Sequence, residues 1–200
     1  MVMIVPKVLV LLAQWFEEVE AVSPVDYLRR AGIEVVTAAL DNNQMVTGSR
    51  DIPVKADTTL KCLAEEGKLS PSNWDAVILP GGLPGSNNLA ASQETSALLK
   101  DMAAKDAWIC AICAAPALVL APLGLLEGRK FTCYPGLEEK VNGAAWCEDR
   151  VVIDKNPAPG RGGIITSRGA GSAGEFAIAI ISKLLHESKG KEIADKVLLK

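Results

Sequence analysis

The chain has 200 residues, 49% of them apolar, and a formal charge of −3 at neutral pH. That length suits one domain with a large core, and the charge offers no basic footprint for nucleic acid. Five cysteines, an odd count, argue against a closed disulfide framework and for reduced thiols in a cytoplasmic setting.

The opening "MVMIVPKVLVLLA" is apolar but interrupted by Pro6 and Lys7. It is too short to span a bilayer and lacks the cationic start and small-residue cleavage site of a signal peptide. The expectation is a short tail followed by a buried strand over "KVLVLLA". In "EEVEAVSPVDYLRRAG" the apolar positions Val19, Val22, Val25 and Leu28 step by three, which predicts a helix. Pro24 should kink that helix or start a second segment, and Gly32 should end it. "IEVVTAAL" is the next strand, and "NNQMVTGSRDIPVKAD" reads as a short hairpin or edge, with Pro53 unsuited to a central strand.

"WDAVILPGG" is a continuous apolar strand ending in a glycine pair, followed by a helix over "TSALLKDMAAK". "AWICAI" is a further strand and "APALVLAPLGLL" the helix after it. "RVVID" and "GIITSR" are late strands, "SAGEFAIAIISKLLHES" is amphipathic, and "KEIADKVLLK" closes the chain. Strands apolar on both faces and alternating with helices predict one α/β sandwich, a mostly parallel sheet covered by helices on both sides.

Cys113 sits where "AWICAI" becomes a helix. A sharp strand-to-helix turn exposes such a side chain and aims helix-start amides at it, the geometry of a nucleophile elbow. Those amides would lower the thiol pKa. From spacing alone Cys113 is either such a reactive thiol or a packed structural cysteine. Cys110 and Cys113 have thioredoxin-like C-x-x-C spacing, but Cys110 falls inside the strand. A zinc site from Cys110, Cys113, Cys133 and Cys147 lacks a knuckle spacing. The lone histidine, His186, reads as a solvated residue of a late helix, so no Cys-His dyad can be assembled. "GRGGIITSRGAG" is not a P-loop, since no Gly-Lys-Ser/Thr follows.

"EEVEAVSPVDYLRRAGIEV", "WDAVILPGG", "AICAAPALVL" and "ITSRGAGSAGEFAIAI" together resemble the ThiJ/PfpI superfamily, in its DJ-one/YajL-like (ThiJ) branch. The resemblance runs over nearly the whole chain and implies one domain, residues 1–200, with a flavodoxin-like (class I glutamine amidotransferase-like) sandwich. It implies Cys113 as the oxidation-prone elbow cysteine and Glu20 as the acid bonded to its sulfur. It further implies Gly82 and Ala114 as the amides facing that sulfur, and Arg30 and Arg50 as arginines near the site or a subunit interface. A homodimer without metal or organic cofactor is expected. Without the resemblance, Glu20 reads as a solvated first-turn glutamate.

Some relatives carry a histidine where this chain has Tyr134, a poor base at neutral pH. That weakens a peptidase or histidine-shuttle reading. Cys133, next to it, is a candidate partner for an oxidised Cys113, or else an inert strand cysteine. The leading function is cysteine-dependent chemistry on a small reactive carbonyl or glycated substrate, of glyoxalase or deglycase type, through Cys113 and Glu20. The alternative is a redox sensor or redox-regulated chaperone in which Cys113 oxidation is the signal. Thiamine-precursor metabolism has no support in the residues themselves.

Overall fold

A computed structural model describes residues 5–156 and 162–199. Residues 1–4 of the tail expected before the first strand, and the start of the "GRGGIITSRGAG" run at Gly160 and Arg161, lie outside them. In chain order the elements are β1 (Lys7–Leu12), α1 (Glu18–Arg30), β2 (Glu34–Ala39), β3 (Met45–Thr47), β4 (Pro53–Lys55), β5 (Thr58–Thr59), α2 (Leu60–Glu65), β6 (Ala76–Leu79), α3 (Gly85–Ala91), α4 (Gln93–Ala104) and β7 (Trp108–Ile112). After β7 come β8 (Lys130–Phe131), β9 (Ala145–Trp146), β10 (Val151–Lys155), β11 (Gly163–Ser167), α5 (Ala173–Leu184) and α6 (Glu187–Lys196).

Seven strands form the central sheet in the order β10-β11-β7-β6-β1-β2-β5. All its pairs are parallel except the edge pair β10–β11. The fold is a flavodoxin-like α/β sandwich. Alternation along β1 sets the two cores: Val8, Val10 and Leu12 face a layer containing Leu28, Phe176 and Ile180. Leu9 and Leu11 face the opposite layer, with Leu89, Leu99 and Met102. Both faces are covered, which is why the central strands read as unbroken apolar runs.

Two local expectations change. Helix α1 runs unbroken across Pro24, because Ala21, Pro24 and Leu28 keep the buried helical spacing and the ring is packed inside. The stretch after β7 is not a regular helix: Pro116–Leu120 is a wide π-turn and Ala121–Leu123 a tight 3-10 turn ending at Gly124, φ +73°. Pro122 has no N–H to donate to the carbonyl four residues back, so the ladder cannot continue in α-helical register. The hairpin appears as β3 and β4, with Pro53 on its edge, and Gly32 ends α1 at φ +83°.

Chain connectivity reverses direction between β1 and β6: β2 and β5 lie to one side, β6, β7 and β11 to the other. A crevice opens at the carboxyl ends of strands at such a switch point.

Candidate active site

Four strand ends supply the parts. Cys113 follows β7 directly at φ +63°, a left-handed conformation costly for a residue with a Cβ. It is held there because its N–H donates to Ser167 O (2.9 Å) at the end of β11 and its carbonyl accepts from Tyr134 N–H (2.8 Å). The turn projects the thiol into the crevice.

Glu20 lies in the first turn of α1 and is 1% exposed. Glu17 caps this helix, its Oε2 accepting from Glu20 N–H at 2.8 Å. The Glu20 side chain hydrogen-bonds Cys113 and accepts from the amides of Gly81, at 2.8 Å, and Ala170. The amides of Ala114 and Gly82 face the sulfur. Gly82, φ +91°, has no room for a side chain: a Cβ would stand 2.6 Å from both Glu17 N and Trp15 O. The Gly169–Ala170 loop is fixed by Ser172 Oγ, which bonds Gly169 O at 2.9 Å and Ser167 Oγ at 2.7 Å.

Burial pushes the Glu20 carboxyl up to about 7; the Cys113 hydrogen bond lowers it, the Glu17 charge raises it, and the Gly81 and Ala170 amides lower it. Burial also pushes the Cys113 thiol far up, and the charge of Glu20 and the hydrogen bond to it add to this, against the Ala114 and Gly82 amides. The expected lowering of the thiol by helix-start amides is therefore outweighed, by burial first and by the charge of Glu20 second. The two groups titrate as a pair: the first proton leaves near 7 and the second is held. Near pH 7 the pair gives up one proton and keeps the other.

The pair opens into a cavity of about 590 Å³ whose lining includes Glu17, Arg50, Leu83, Tyr134 and Ala170. Tyr134 is half-exposed on its rim, and Arg50 sits at the tip of the β3–β4 hairpin. Arg30 does not line it. It lies ten positions along α1 from Glu20, about 15 Å by helical rise, exposed and paired with Asp26 (Nε to Oδ2, 2.7 Å). A cavity of about 650 Å³ at the amino ends of the strands, with Trp74, Trp108, Lys105 and Lys183, has no cysteine or histidine among its described lining residues.

The remaining cysteines are not gathered here, and all five are free. Cys110 is buried in the core layer beneath Cys113, its thiol pushed up by burial. Cys133 is buried in the opposite layer, pushed up to about 12 by burial first. His186 is not on a helix face but exposed at the α5–α6 junction, where Nδ1 accepts from Lys189 N–H (3.1 Å). Sequence reasoning missed Gly81 and Ala170, whose amides hold Glu20, and Glu18, a buried carboxylate two residues before it. The glycine pair was the available signal for Gly81. Ala170 and Glu18 carried none.

The DJ-1/PfpI family model matches residues 6–183. DJ-1 homologues B and A of Arabidopsis thaliana are 38% and 37% identical over 97% of this chain, which spans 41% and 46% of their length. The structure of an oxidized DJ-1 from Toxoplasma gondii superposes with a TM-score of 0.87 at 38% identity, covering 96% of this chain and 98% of its own. A deglycase of Pyrococcus horikoshii is 32% identical over 75% of this chain and 86% of its own length. The chain belongs to the DJ-1/PfpI family.

Proposed function

We propose that the chain is a cysteine-dependent enzyme of the stress-response type acting on small reactive carbonyls, with Cys113 as nucleophile and Glu20 as acid and base. The observation that carries this is the buried Glu20 carboxyl hydrogen-bonded to Cys113 in the lining of an open cavity, with the amides of Gly82 and Ala114 facing the sulfur. The deglycase relative agrees with a carbonyl or glycated substrate.

Sγ adds to the aldehyde carbon of a 2-oxoaldehyde, the C=O pair moves to oxygen, and the Glu20 proton neutralises it, giving a hemithioacetal. Glu20, now a carboxylate, takes the proton from that carbon and returns it to the neighbouring one, while the hydroxyl proton passes from the first carbon's oxygen to the second's, leaving a thioester C=O beside a new hydroxyl. Oxidation at the first carbon balances reduction at the second, so no outside oxidant is needed. Water then cleaves the resulting thioester to a 2-hydroxy acid and frees the thiol. Tyr134 has no base to supply and none is required.

The test is proton NMR of methylglyoxal incubated with wild type, Cys113→Ala and Glu20→Gln. Hydroxy acid appearing with wild type alone supports the reading; conversion by Cys113→Ala sinks it. A second reading, redox sensing, is favoured by the partly accessible Cys113 and by the oxidized Toxoplasma relative. Under it, Glu20→Gln changes the oxidation state of Cys113 after mild peroxide while no variant turns over an aldehyde.

A homodimer belongs to the same proposal, supported by the exposed apolar side chains of Val19 and Val22 on α1, Trp15 just before it, and Met45 and Ile52 on the β3–β4 hairpin. Light scattering on the eluting peak decides it. No described helix is long and apolar enough to cross a membrane, and the unpaired cysteines suit the proposed cytoplasmic setting.

A further inference from the structure

Glu18 is 5% exposed yet ionisable, and its partners among the described residues are neutral donors. Its Oε1 accepts from the N–H of Arg50 (2.7 Å) and Ile52 (3.4 Å), and its Oε2 from Ser49 Oγ (3.4 Å). Burying a carboxylate without a cation is costly unless several hydrogen bonds replace its water. All three bonds go to one turn, Gly48–Ile52, closed by Gly48 N–H to Ile52 O (3.0 Å) and Asp51 N–H to Gly48 O (3.1 Å). Gly48 makes room for this carboxyl: a Cβ there would overlap Glu18 Cδ and Oε1.

What the turn presents is Arg50. The charged side chains among the described residues lining the Cys113 cavity are Glu17, Glu20 and Arg50, two acids and one cation. Without a fixed Arg50, a negatively charged reactant approaching Cys113 would meet two acidic side chains and no cationic one among the described lining residues. The geometry points to Glu18 as a positioning residue: it fixes the hairpin tip so that Arg50 gives the cavity its tolerance for anionic reactants. This rests on Cys113 being the reacting group of that cavity, and it extends the proposed substrate class from neutral 2-oxoaldehydes to carbonyl compounds bearing an anionic group.

The test compares alkylation of Cys113 by iodoacetate and iodoacetamide, which differ in charge and little else, by mass spectrometry at low salt. The ratio of the two rates reads the cavity's charge preference. Relative to wild type, Arg50→Met lowers that ratio about fivefold, and Glu18→Gln and Gly48→Ala each lower it by about threefold. Molar salt collapses these differences. Glu18→Asp, which keeps the charge, restores part of the ratio. Should Glu18→Gln fail to fold, Gly48→Ala carries the same comparison. A wild-type ratio in Glu18→Gln and Gly48→Ala beside a lowered one in Arg50→Met overturns the inference, leaving Glu18 a hairpin tie. An unchanged ratio in Arg50→Met overturns it too. Only a Cys113 inert to both reagents in the wild type would take the proposed function down with it.

Discussion

The N–H of Gly81 donates to Glu20 Oε2 at 2.8 Å, and a Cβ placed on Gly81 would stand 2.6 Å from that oxygen and 2.7 Å from Cys113 Cβ. One missing side chain thus makes the contact between acid and nucleophile. Gly81→Ala wedges the two apart. It should lower Cys113 alkylation at pH 7 more than tenfold and cost about 1–3 kcal/mol in urea melts, as overpacking does. An alkylation rate within twofold of wild type would refute the close fit.

The pH profile of alkylation follows from the shared proton. In the wild type the rate should rise with a midpoint at about 7, where the first proton leaves the pair. In Glu20→Gln that proton is gone and only the buried thiol remains to titrate. Its midpoint should move above the ~8.5 of a free cysteine. Identical profiles would show that the two groups do not communicate.

Stability carries the same signature with a definite sign. The Glu20 carboxyl is raised in the folded chain from 4.5 to about 7, so folding favours the protonated form. Its contribution is complete below 4.5, is lost as pH rises to about 7, and is level above that. The interval corresponds to about 3 kcal/mol. Urea melts of wild type from pH 5 to 8 should show this fall, and Glu20→Gln should not. A wild type that gains stability over the range through this residue would contradict the burial argument.

We expect Cys133 not to resolve an oxidised Cys113. The two side chains belong to opposite core layers, and the Cys133 thiol, held up to about 12, provides little thiolate at neutral pH. Non-reducing peptide mapping after mild peroxide should find oxygen added to Cys113 and no Cys113–Cys133 peptide. Cys133→Ser should leave the extent of Cys113 oxidation unaltered.

Strand position was legible because burial on both faces leaves unbroken apolar runs, as in "VLVLL" and "WICAI". The elbow was legible because the strand and the small-residue stretch abut at Cys113. Short elements were not: β5, α2 and α3 are held by their neighbours and lack a period long enough to read. Pro24 misled because propensity says nothing of a packed ring, whereas Pro122 does break the ladder after β7. Within the site, the residues alone left Cys113 between a reactive and a packed thiol, and Glu20 needed a family resemblance, since an acid in a first turn is ordinary. Gly81 and Ala170 act through backbone amides, which every residue possesses, and Arg30 shares a helix with Glu20 without sharing its end.

Glu20, Gly81, Cys113 and Ala170 hang from the ends of β1, β6, β7 and β11, so the pair is assembled from both extremities of the chain. The raised carboxyl therefore exists only after the N-terminal strand and the C-terminal half have met in one sheet. A partly folded or nicked chain would titrate like loose glutamate and loose cysteine. The reactivity of one thiol at pH 7 can then serve as a gauge of completed folding in any preparation, read before any substrate is known.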